Sequence, residues 1–213
     1  MRKIMLMAGC VVMMANLVLA QGFDLQVAES AAATEQGQLR VTGGFNTGES
    51  DDLDLMYFGG RLSYGLVENL LVFAGAGLVD TDSDSLDSAV CVSGGAQYAL
   101  PMELPVDVAV RATLAKPFFD DIEVGSGRKE SVDVLTMTVM GIASKELTVT
   151  GLTVYGGAGF ARTSTDVGNN DDSETDLALT GGALYQVNDM FSAFAEVTHV
   201  DDLFLGAGVR VDL

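Results

Sequence analysis

Tryptophan is absent from these 213 residues, histidine occurs once, proline three times and cysteine twice. Basic residues are scarce as well: 11 Lys and Arg stand against 30 Asp and Glu, a formal charge of −19. A phosphate-binding surface needs clustered Lys and Arg, so nucleic acid is excluded as a partner. No segment sustains a 3.6-residue apolar period, which excludes a helical bundle. A disulfide framework is excluded too, because Cys10 falls in the first apolar run and leaves Cys91 alone. Between Val90 and Val92, Cys91 reads as a small buried side chain. No Ser stands suitably close to His199 for nucleophilic chemistry, and the expectation is a non-enzyme without metal or cofactor.

What the chain does have is 25 glycines and a mean hydropathy of +0.32 in spite of its charge. Charge and apolar character must therefore be segregated along it. The first segregated piece is the N-terminus. Arg2 and Lys3 precede an apolar run over 4–19, and Val18-Leu19-Ala20 is a small-residue cleavage site, so 1–20 reads as a cleavable export signal. A permanent membrane helix fits less well, because the run is short and Asn16 interrupts it. Met7-Ala8-Gly9-Cys10 resembles a lipobox only loosely. Cleavage removes two of the 11 basic residues and raises the negative charge to −21. Residues 21–37 show no periodicity and are expected to form a loose periplasmic leader.

From position 38 the pattern changes to a period of two. Met56, Phe58, Gly60, Leu62 and Tyr64 alternate with Tyr57, Gly59, Arg61 and Ser63, as a strand with one apolar face requires. A turn at 66–69 leads to a second run, and the same unit recurs over 181–201. The spacing predicts further strands over 38–47, 90–100, 106–114, 132–144, 147–163 and 203–213, with a tight turn at Lys145-Glu146. Acidic loops are expected over 49–54, 80–87 and 164–175, with the longest loop over 117–131. The prediction is an all-β chain: one closed antiparallel up-and-down transmembrane barrel over 38–213, of about ten strands. Eight is the alternative, should Asp201-Asp202 not be a full reversal.

Strands of about ten residues match what a tilted strand needs to cross a bilayer. Tyr64, Tyr98 and Tyr185 each follow a Gly-Gly pair on the apolar face just before a turn, which places one amphipathic ring per down-strand at a membrane interface. Hydrocarbon forbids open sheet edges, so closure follows. The phrases Tyr64-Gly-Leu-Val-Glu-Asn-Leu-Leu-Val-Phe-Ala and Leu205-Gly-Ala-Gly-Val-Arg-Val-Asp-Leu resemble the small outer-membrane β-barrel proteins of Gram-negative-type bacteria. That resemblance, which covers 38–213, implies outer-membrane localisation with both termini periplasmic. It implies contact with outer-membrane lipid and lipopolysaccharide, and with the barrel-assembly machinery during biogenesis. The terminal residue common in that class is aromatic; here it is Leu213.

On the polar face, Arg40, Arg61, Arg111, Arg210 and Glu196 are the lumen-lining candidates, with Asp107 and Asp212 as further carboxylates. Two readings stay open: Arg–carboxylate pairs plug the lumen, or the charges line a narrow ion path. Asp80-x-Asp82-x-Asp84 spaces oxygen ligands as Ca²⁺ binding would, yet lacks the Gly and Glu of an EF-hand loop. His199-x-Asp201 with Asp80-x-Asp82 resembles the omptin proteases, in a different residue order. The expected role is a structural or surface-exposed barrel serving adhesion or envelope integrity. A small cation-preferring pore or solute channel is the alternative, and an omptin-like hydrolase the remote one.

Overall fold

The computed structural model describes residues 24, 27–50, 53–81, 88–119, 122–124, 128–130, 132–148, 151–167 and 170–213. The chain forms strands β1 (Leu39–Ser50), β2 (Leu53–Val67), β3 (Leu70–Thr81), β4 (Ala89–Leu100), β5 (Asp107–Phe118), β6 (Ile122–Val124), β7 (Arg128–Glu130), β8 (Val132–Glu146), β9 (Leu152–Val167), β10 (Asn170–Gln186), β11 (Phe191–Val200) and β12 (Asp202–Asp212). Every strand except β6 and β7 joins one antiparallel sheet, and β1 pairs with β12 from Arg40↔Asp212 to Gly48↔Phe204 to close it. Closure leaves no edge to satisfy. The short strands β6 and β7 form a separate hairpin in the connection between β5 and β8.

The two-residue period sorts side chains as the alternation predicts. Met56, Phe58, Leu62 and Tyr64 point outward, and Phe58 is 65% exposed. Tyr57, Arg61 and Ser63 are buried in the interior. A closed barrel that shows Phe58, Leu78, Phe160 and Leu205 to its surroundings has its apolar face outside and its charges inside, the inverse of a soluble barrel. Tyr64, Tyr98 and Tyr185 also face outward, each within a few residues of a turn at the same end, here termed the tyrosine end. The opposite, acidic end carries Asp54, Asp80, Asp201 and the tip of the β9–β10 hairpin.

Inward aromatic rings explain much of the glycine. Tyr57, Phe73, Tyr155 and Phe194 are all buried, and each lies over a glycine of a neighbouring strand. A Cβ on Gly77 would stand 2.5 Å from the Tyr57 ring, one on Gly95 2.6 Å from Phe73, one on Gly182 2.5 Å from Tyr155, and one on Gly208 2.7 Å from Phe194. Real Cβ atoms do not approach so closely, so these glycines are berths for rings. In each Gly-Gly pair one member faces in and makes room.

Several expected boundaries move. The reversal at Asp201 is complete, with Val200 paired to Asp202 and Asp201 at φ 61°, which fixes the barrel at ten strands rather than eight. The turn expected at Lys145-Glu146 lies further on, because Lys145 and Glu146 still pair with Val154 and Thr153. Gly151, at φ 81°, takes the left-handed position beside it. The acidic stretches 49–54 and 164–175 are largely hairpin: Glu49 pairs with Asp54, and Ser164 with Ser173. Backbone ladders outrun the apolar face, since N–H···O=C pairing needs no particular side chain. The largest departure is 21–37. Its described residues 24 and 27–34 form a strap running inside the barrel, instead of a loose leader beside it.

Candidate functional site: the strapped lumen

The strap enters at the tyrosine end, where the Asn69 N–H donates to the Thr34 carbonyl at 3.1 Å. From there it leads inward, past Ala31 and Ala28, to Asp24 beside Arg61. A chain inside a barrel must find partners for its backbone, and here the wall supplies them. Ala31 N–H donates to Ser144 Oγ of β8 at 2.9 Å, and Gln97 Nε2 of β4 donates to the Ser30 carbonyl at 2.8 Å. Glu196 of β11 accepts the N–H groups of Val27 and Ala28, one on each carboxylate oxygen, both at 3.0 Å. Successive N–H groups converge on one anion only when the chain turns sharply into the left-handed region. Ala28 does so, with φ 44°.

Charge pairing binds the strap as closely. Asp24 takes Arg61 Nη2 on one oxygen at 2.9 Å and the Ser93 hydroxyl on the other at 3.0 Å. Arg61 Nη1 also donates to the Val27 carbonyl at 3.0 Å. Glu29, 1% exposed, receives Arg40 at 2.8 Å and Arg210 at 3.4 Å. Those two arginines share Asp212, at 2.7 Å and 3.2 Å. The four-membered network spans the β1–β12 seam, so one strap carboxylate stitches the place where the barrel closes. Removing one partner of a buried pair leaves an uncompensated charge, at a cost of about 3–5 kcal/mol.

All five lumen-lining candidates, Arg40, Arg61, Arg111, Glu196 and Arg210, are buried inside the barrel. The guanidinium of Arg111 lies 4.0 Å from the centre of the Phe73 ring and that of Arg61 5.0 Å, with Arg111 also reaching Gln97 Oε1 at 3.3 Å. Asp107 is exposed at the tyrosine end. Asp212 pairs with Arg40 and Arg210 across the wall, and the strap adds Asp24 and Glu29 as further ionic partners. Sequence reasoning missed Asp24 and Glu29. The available signal was an excess of inward Arg over inward carboxylates. His199 points to the outer face, in register between Leu179 and Leu203, and is not brought to a carboxylate in the mouth. Asp82, Asp84 and Asp87 lie outside the described residues.

Toward the acidic end the lumen changes character. Leu55, Tyr57, Val79, Cys91, Ala115, Val134 and Phe204 pack into one buried apolar cluster. Cys91 is a buried free thiol within it. At the opposite mouth a cavity of about 270 Å³ is lined by Ser30 of the strap together with Arg40, Arg210, Asp212 and Gln186.

No family model matches the chain, and no curated protein matches it in sequence. Solved structures do resemble it. The translocator domain of the autotransporter NalP from Neisseria meningitidis matches with a TM-score of 0.54 at 12% identity, covering 84% of this chain and 89% of that one. An outer-membrane channel from Pseudomonas putida F1 matches with a TM-score of 0.53 at 11% identity, covering 85% and 97%. At such identities the likeness concerns the fold alone. The shared fold is the closed antiparallel β-barrel that those outer-membrane proteins adopt.

Proposed function

We propose that this chain is an integral barrel of the bacterial outer membrane that is sealed at rest, serving the envelope as a structural, surface-displayed element and not as an open pore. The observation that carries this reading is the strap: Asp24 and Glu29 sit on the guanidiniums of the wall, and Glu196 holds the strap backbone from the other side. Strap and wall side chains together fill the charged layer, which supports a closed lumen. The outward apolar face supports insertion in lipid, because an exposed band of that kind on a closed barrel is stable only in hydrocarbon. Both ends of the barrel chain, Leu39 and Asp212, lie at the tyrosine end, which in this reading faces the periplasm. Cleavage of the N-terminal signal after Ala20 belongs to the same reading, as does contact of the acidic end with lipopolysaccharide through divalent cations.

Planar-bilayer recording of the purified full chain tests the seal. The expected result is a protein that inserts, as shown by its heat-modifiable gel mobility, and carries no current steps in KCl. Steady ohmic conductance from the unmodified chain contradicts the proposal.

A further inference from the structure

We propose that the strap is an intramolecular chaperone for its own barrel: Glu29, carried next to β1, receives Arg210 of the last strand and so brings β12 onto β1 in the register that closes the sheet. This role concerns assembly and goes beyond a sealed lumen. Closure is the most demanding pairing in the chain. Arg40 and Asp212, which meet at the seam, stand 172 residues apart, so this pairing carries the largest loop-closure entropy. Until β1 and β12 meet, each presents a row of unpaired N–H and C=O groups.

The seam also begins with a charge conflict. Near the tyrosine end β1 turns Arg40 inward, while β12 carries Arg210 and Asp212 on its inward face. Arg40 lies opposite Asp212, and Arg210 lies opposite Thr42. Two guanidiniums therefore converge with one carboxylate between them. Their repulsion opposes pairing until a second carboxylate is present. Glu29 supplies it: Oε2 accepts from Arg40 at 2.8 Å and from Arg210 at 3.4 Å. The strap offers the C-terminal hairpin a second handle, of opposite sign. The N–H groups of Val27 and Ala28 hold the Glu196 carboxylate of β11. An anion receptor and a cation receptor thus stand side by side on the strap, and β11 and β12 bring the matching groups.

The sequence separations order these contacts. Glu29 is 11 residues from Arg40, and Asp24 is 37 from Arg61. The Gly37 N–H donates to the Gly65 carbonyl at 2.8 Å. Strap, β1 and β2 therefore assemble from near neighbours in the chain. The contacts to Glu196 and Arg210 span 168 to 181 residues and wait for the C-terminal hairpin.

The test measures folding and unfolding rates of the full chain in lipid vesicles, followed by heat-modifiable gel mobility. Four proteins are compared: the unmodified chain, Glu29→Gln, Arg210→Gln and the double variant. Glu29→Gln keeps the strap's backbone bonds to Glu196, Ser144 and Gln97, so the strap stays seated while the seam loses its second carboxylate. Folding should slow by about tenfold, with the unfolding rate held within about twofold. Adding Arg210→Gln removes the surplus cation and should restore most of the lost folding rate. A merely structural contact would instead speed unfolding and leave folding unchanged. That result, unaltered rates for Glu29→Gln, or a double variant no faster than Glu29→Gln would each overturn the proposal. Should Glu29→Gln fail to fold at all, the double variant decides: its folding supports the proposal and its failure to fold overturns it. These rates are independent of conductance, so the sealed-barrel reading stands or falls separately.

Discussion

The two halves of the lumen are filled by different means. Near the tyrosine end the wall carries the buried charges and is completed by a separate piece of chain, the strap, through ion pairs, backbone bonds and the packing of Val27, Ala28 and Ala31 with Ile142, Leu184 and Phe194. Near the acidic end Leu55, Val79, Val134 and Phe204 pack on one another around Tyr57. The apolar half carries its own filling on the strands. The polar half depends on a segment far away in sequence, with Glu196 bonded to the amides of Val27 and Ala28. Two consequences follow for energetics. Apolar packing is lost in proportion to the side-chain volume removed, whereas a charge network fails by leaving a buried charge behind.

The largest expected effect breaks the polar half. Arg61→Leu removes the ionic partner of Asp24 and the donor to the Val27 carbonyl, and should cost about 3–5 kcal/mol in urea unfolding from lipid. Leu55→Ala cuts the apolar half and should cost about 2–5 kcal/mol by the same measurement, leaving the strap in place. Gly95→Ala sharpens the comparison, because its Cβ would meet both the Ala112 carbonyl oxygen and the Phe73 ring that underlies Arg61 and Arg111. Overpacking there should cost about 1–3 kcal/mol, while the same change at Gly43, which meets only a carbonyl oxygen at 4.0 Å, should be close to neutral.

The smallest effect belongs to neither half but to the acidic rim. Glu174 titrates above the ordinary carboxylate range, chiefly through partial desolvation and then through Asp176, Asp201 and Asp172; Asp176 is raised by desolvation and by Asp201. A raised carboxyl value means that the folded state prefers the protonated form. The associated stability is present below about pH 4 and is lost as pH climbs through the folded values. Glu174→Gln should therefore raise the urea midpoint slightly at neutral pH and leave it unchanged in acid. A midpoint insensitive to the substitution at every pH would contradict the rim's mutual repulsion.

Much of the barrel was legible because both faces of each strand are under constraint. Met56, Phe58 and Leu62 against Tyr57, Arg61 and Ser63 admit one register, and the Arg and Glu candidates fall inside for the same reason. The strap was not legible. Its residues bond through backbone groups to Ser144, Gln97 and Glu196, so its own side chains need no period. The run Ala31-Ala-Ala33 reads as loose in sequence, although small side chains are what let a chain fit inside a crowded barrel. The acidic hairpins read as loops for a related reason: pairing such as Asp166↔Asp171 continues past the outward apolar band, where no apolar face marks it.

Amide hydrogen exchange at Val27, Ala28 and Ala31, followed in the refolded full chain in lipid, tests the strap most directly. Donation of these amides to Glu196 and Ser144 inside the barrel predicts protection comparable to that of the strand amides of β1 and β12. Exchange at the rate of an unstructured peptide, with the strands still protected, would show that the strap lies outside the lumen.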